Sequence, residues 1–143
     1  MVDENEPALD PLLVLLRVIL VYGTLLFACG FVFGLIRELA LIPALGRTAG
    51  RTIEFAIMLA VTFALAARMA KRILPAGARR LLALGIGGAI VLAALEAMFV
   101  LYVMQLPAKT YFDQFNLLAG ELFTLALLAV ILAPVIVCSF IRS

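Results

Sequence analysis

Apolar residues run along this chain in four long, nearly unbroken stretches, at about residues 13–36, 52–70, 81–104 and 118–140. Each approaches or exceeds the about 20 helical residues that cross a ~30 Å hydrocarbon core. The stretches are continuous and lack the alternation of membrane-barrel strands. They predict an all-α membrane protein, a single transmembrane domain over residues 1–143 built as a four-transmembrane-helix bundle. Composition agrees, since 66% of residues are hydrophobic and only 14% carry charge. Little chain is left over for a soluble domain.

Between the stretches, the basic residues set an orientation. The second link, ARMAKRILPAGARR (67–80), carries Arg68, Lys71, Arg72, Arg79 and Arg80, whereas the third carries Lys109 alone. Lys and Arg concentrate on the cytoplasmic side, which predicts that both termini are cytoplasmic. Arg17 and Arg142 fall on that same side. Arg37, Arg47 and Arg51, around the first link, fall on the other. The acidic start, MVDENEPALD, differs from the basic n-region of a signal peptide, and its DENE run reads as a solvated tail. LFACG (26–30) has the outline of a lipoprotein cleavage box, but Phe27 is bulky and the apolar run continues past Cys29. The first stretch is expected to remain as an uncleaved helix in a bacterial inner membrane.

Several kinds of chemistry are excluded. The chain has no histidine, which removes His-ligated haem, the usual catalytic zinc site and His-based acid–base catalysis. Phosphate loops, nucleophile elbows and metal-spaced cysteine pairs are absent from the sequence. No catalytic residue, metal site, cofactor or nucleic-acid partner is expected. Cys29 and Cys138 differ in expected depth by about 15 Å, too far for a disulfide, and read as small apolar fillers.

Chemistry can then reside only in the charged residues within the apolar runs. LAALEAMFV (92–100) places Glu96 about 15 residues into the third helix, hence ~22 Å from its cytoplasmic side. Glu54 and Glu121 fall within about one turn of the starts of the second and fourth helices. Arg37 ends the first, with Arg51 just above. Together Arg37, Arg51, Glu54, Glu96 and Glu121 form a candidate buried charge network in the outer third of the membrane. Helical spacing places Glu96 on a stripe of small residues with Ala93, Ala89, Gly85 and Gly88. Arg37 stands on a second stripe with Gly34 and Gly30. Such stripes permit close approach of membrane helices. A charge on one should therefore face protein, because a charge facing lipid costs at least ~2.5 kcal/mol. Glu96 is expected within pairing or water-bridged reach of an arginine, Arg37 first among them.

The segment FGLIRELALIPALGRTAGRTIEFAIML (33–59), with Gly34, Arg37, Pro43, Gly46, Glu54, Met58 and Leu59, resembles a family of small four-helix inner-membrane proteins of proteobacteria that have no assigned function. The resemblance covers about a fifth of the chain directly. It implies a membrane location and a role for Arg37 and Glu54, and no activity. The family favours proline two places after the glutamate, where this chain has Ala56.

Four readings of the polar cluster follow. It is a structural network of Arg–Glu pairs fixing helix register, or a proton- or cation-coupled transporter using Glu96 with Glu54 and Glu121. Alternatively the protein is an accessory subunit docking through its glycine stripes onto a larger membrane complex or a second copy. An intramembrane enzyme using paired carboxylates is the fourth reading, and lacks a nucleophile. The structural and accessory readings are compatible and lead. Tyr102, Tyr111, Phe112 and Phe115 read as an interfacial aromatic belt, with a lid formed by TYFDQFN (110–116) as the functional counterpart. Pro134 reads as a tolerated kink, and Pro43, Gly46 and Gly50 as breakers between the first two helices.

Overall fold

The computed structural model describes residues 10–73, 77–116 and 121–142. The acidic run at 3–6 and residues 118–120, expected to open the fourth helix, lie outside them. Four helices are long and apolar enough to cross a membrane, at Pro11–Leu45, Arg47–Ile73, Ala78–Val103 and Phe123–Ile141. No strand occurs among the described residues.

Helix α1 (Pro11–Ile36) opens on an Asp10 cap, whose carboxylate accepts the Leu12 N–H at 3.0 Å, with Pro11 in the first turn. A proline there loses nothing, since that N–H has no partner inside a helix. The chain then widens into a π-helical turn at Arg37–Leu41 before a last short helix, α2 (Ile42–Leu45). Pro43 was expected to break the chain, yet the helix passes through it. In a regular α-helix its ring would press on the carbonyl four residues earlier. The wider turn, in which the Ile42 N–H reaches Arg37 O, relieves that clash. The break comes at Gly46, whose φ of +87° suits glycine alone.

Helix α3 (Arg47–Ile73) starts immediately after it. It begins five residues before the expected start at 52, which puts Arg51 inside the helix and Glu54 at the start of its third turn. Gly50, also expected as a breaker, lies inside α3, where an added Cβ would press on Ile42 of α2. Helix α4 (Ala78–Met98) ends in a second π-helical turn at Phe99–Val103. A short α5 (Ala108–Asp113) and α6 (Phe123–Arg142) complete the chain, so Glu121 precedes the last helix instead of lying one turn into it.

The helices form a ring in which α1 packs on α3 and α4, and α6 packs on the same two. Tyr22, fully buried, ties three of them together. Its hydroxyl donates to Val130 O of α6 at 3.2 Å, and its ring lies on Gly88 of α4. At Gly85 a Cβ would strike the backbone carbonyl of Ile131 in α6, and at Gly23 the side chain of Val91. These glycines are where the helices touch backbone to backbone. Gly30 and Gly34 differ, because a Cβ at either would meet only Met58 Cε or Glu54 Oε1, both at an ordinary 3.7 Å. The Gly30–Gly34 stripe thus faces side chains of α3 at close range, as expected, and its contacts are with those side chains and not with backbone. Large apolar side chains such as Leu20, Leu39, Ile90 and Phe140 cover the outside of the ring.

Candidate functional site

Helix α3 carries the polar end of the bundle. Arg51 and Glu54 stand three residues apart, which places them on neighbouring positions of one face. Glu54 Oε2 accepts from Arg37 Nη1 at 2.6 Å, and Arg51 Nη2 donates to Glu121 Oε2 at 2.7 Å. The first pair joins α3 to the end of α1, and the second joins it to the approach to α6. Arg37 is committed further, since its Nε and Nη2 both donate to Glu38 Oε1, at 3.1 and 2.9 Å. Arg47 is exposed.

Glu96 therefore makes no direct ion pair with Arg37. The guanidinium already engages Glu38 and Glu54, and Glu96 Oε2 is buried without a hydrogen-bond partner. Spacing along α4 indicates the depth of Glu96 but not which neighbour comes round to meet it. Adjacent Glu38, unremarked in the sequence, is brought to Arg37 at the start of the π-helical turn and occupies the fork of donors.

Arg37, Arg51, Glu54, Glu96 and Glu121 all line one cavity of about 660 Å³. Its floor lies at buried Leu26, Thr62 and Val130, and its rim at exposed Glu38, Met104 and Asp113. Gly30 and Gly34 open onto it, which is what their missing side chains achieve. One wall is aromatic. Phe99, at the start of the second π-helical turn, meets Phe31 and Phe27 edge-on at centroid distances of 5.2 and 6.2 Å.

Helix α5 closes part of the rim. Tyr111 is buried and its hydroxyl donates to Ala93 O, one turn before Glu96, at 2.9 Å. Burial, and then the negative charge of Glu96, hold the Tyr111 phenol above its ordinary pKa. Phe115 packs edge-on against Phe123 at 4.9 Å, and its carbonyl accepts the Thr124 hydroxyl at 3.1 Å. Of the four residues of the expected aromatic belt, Tyr111 and Phe115 also anchor this segment to the bundle, whereas Tyr102 and Phe112 stay exposed. Thr110, Asp113 and Gln114 face the cavity from this segment, and Gln114 Nε2 is a second buried polar atom without a partner. Sequence reading missed Gln114. Only its place inside the TYFDQFN segment hinted at it.

Chemically, the site holds two arginines neutralised by carboxylates, one buried carboxyl group, Glu96, without an arginine partner inside an apolar and aromatic chamber, and a second, Asp113, exposed at its rim. Cys29 and Cys138 are free thiols. Comparison of the chain with protein families, curated proteins and solved structures gives no match to any of them.

Proposed function

We propose that the protein is a multi-pass transporter of a bacterial inner membrane, coupled to protons or cations, with Glu96 as the exchanging group. One observation carries this reading: both cavity arginines are already matched by carboxylates, and Glu96 faces the cavity unmatched. A network serving only helix register would have no need of the odd carboxyl group or the chamber before it. The two ion pairs keep the structural role, fixing α1, α3 and α6 around the cavity. Glu54 and Glu121, held by arginines, position the site and do not exchange. The inner-membrane assignment rests on the four apolar helices together with the family resemblance of residues 33–59.

The test is uptake in proteoliposomes, with an internal pH dye and an imposed gradient of inorganic or organic cation. Cation entry driving proton exit is expected, and Glu96→Gln is expected to reduce it to the level of empty vesicles while thermal unfolding stays near that of the native chain. Flux equal in the variant, or none above empty vesicles with any cation, overturns the reading. A stoichiometric larger complex recovered after mild extraction, with no flux, would put an accessory subunit in its place.

Orientation forms part of the proposal. Arg68, Lys71, Arg72, Arg79 and Arg80 are all exposed at the end of the ring remote from the cavity mouth. By the positive-inside rule that end is cytoplasmic, so both termini are cytoplasmic and the mouth opens outward. Reporter fusions active outside the membrane are expected within 107–115 and not at the C-terminus. The reverse pattern would invert the topology.

A further inference from the structure

We infer that the ligand taken against Glu96 is an organic monocation with an aromatic or branched apolar body. This deepens the transport reading and rests on it for the identity of the site, though not for its chemistry. Charge excludes an anion, because the two guanidinium groups that could bind one are already held at 2.6 and 2.7 Å by Glu54 and Glu121. What remains in the inner part of the chamber is the Glu96 carboxyl group, with Asp113 at the exposed rim, and a proton or a cation satisfies such groups where an anion does not.

Size and donor set then select among cations. A volume of about 660 Å³ lies in the range of small-molecule sites, roughly 300–1,000 Å³, and far exceeds a dehydrated metal ion. Among the described residues no three acidic or thiol groups converge as metal ligands, so a divalent ion lacks the oxygen cage it requires. The walls suit a hydrocarbon body instead. Leu26, Met58 and Val130 line the inner part, and Phe27, Phe31 and Phe99 form the aromatic side. Aromatic faces attract a cation that has left water, and they favour a bulky ammonium or phosphonium over a small hydrated ion. The Gln114 amide offers a further polar contact toward the mouth.

Proton and ligand compete for one carboxyl group, so binding weakens as pH falls. The charged groups sharing the cavity with Glu96 are Arg37 and Glu38 after α1, Arg51 and Glu54 on α3, Asp113 on α5, and Glu121 before α6. Tyr111 stands over the end of α4. Glu38, Glu54 and Glu121 are engaged by the two arginines and Asp113 is exposed at the rim, which leaves Glu96 as the buried carboxyl group against which the ligand sits.

The experiment is equilibrium binding to the full chain in lipid nanodiscs, with tetraphenylphosphonium and benzyltrimethylammonium as probes. Sodium, potassium and magnesium ions serve as competitors, and tetraphenylborate as the anionic match. Saturable binding at one site per chain is expected, weaker at acidic pH and indifferent to the metal ions. Glu96→Gln is expected to weaken it roughly 30-fold or more, the scale of losing one desolvated charge partner. Gly30→Leu, which fills the chamber without touching a charge, is expected to abolish it, with thermal unfolding confirming that both variants are folded. Equal binding of tetraphenylborate, equal binding to Glu96→Gln, or displacement by sodium or potassium overturns the inference. Organic-cation binding without flux in vesicles would leave it standing while removing the transport reading. Glu96-dependent flux of inorganic ions without such binding would do the opposite.

Discussion

Gly85→Ala is expected to destabilise the bundle by about 3 kcal/mol, the upper end of what overpacking costs, and Gly85→Val to prevent recovery of folded protein. The obstacle is the backbone carbonyl of Ile131, which no rotamer change can move, so α4 and α6 must part along their length. A Cβ at Gly88 meets the Tyr22 ring, and that ring is fixed by its own bond to Val130 O. Gly88→Ala is therefore expected to cost nearly as much. The contrast is Gly30→Ala, whose Cβ finds ordinary contact with Met58. Replacing a mid-helix glycine there is expected to leave stability unchanged or raise it by up to about 1 kcal/mol. Thermal or detergent-induced unfolding of the three variants measures the difference. Similar behaviour at positions 85 and 30 would mean that α4 and α6 do not touch as described.

Breaking the Arg37–Glu54 pair has the next largest expected effect. Glu54 retains 15% side-chain exposure and Arg37 27%, so this pair is shielded enough for a lone survivor to be costly. Arg37→Gln or Glu54→Gln is expected to cost about 3 kcal/mol, the low end for a buried pair. The double variant should fall short of the sum by about 2 kcal/mol, as coupled neighbours do. The Arg51–Glu121 pair, exposed at 35% and 26%, should show the same sign and a smaller coupling. A double-mutant cycle on unfolding free energies tests both. Strict additivity at 37 and 54 would show that water, and not the partner, satisfies each group. Glu96→Gln removes no partner and is expected to leave stability close to native, which separates its role from theirs.

Much of this architecture was legible in the chain. Four apolar runs without alternation determine four helices, and regular rise places Arg37, Glu54, Glu96 and Glu121 at one end of a ring whose helices alternate in direction. The ends were less legible, for local reasons. Pro43 reads as a breaker under α-helical rules, and the π-helical turn that admits it carries no strong sequence signal, so α3 was expected to start at 52 instead of Arg47. Partner choice was the least legible part. Spacing gives depth along a helix, while pairing depends on rotation about its axis and on competition. Glu38, next to Arg37 in the chain, decided that competition. The glycine stripes show the same limit, since Gly30–Gly34 and Gly85–Gly88 look alike in sequence. Only the neighbour, a flexible Met58 or the rigid carbonyl of Ile131, tells an opening from a contact.

The two ion pairs close at very different moments in the life of the chain. Arg37 meets Glu54 across 17 residues of sequence, within the first helical hairpin, whereas Arg51 must wait for Glu121, 70 residues further on. Until residue 121 has been made, the nascent chain lacks the carboxylate that Arg51 meets in the finished fold. A chain truncated before Glu121 still contains both members of the Arg37–Glu54 pair but leaves Arg51 without its partner. The bond between Arg51 and Glu121 is in this sense a receipt for the finished chain, issued only when all four helices are in place.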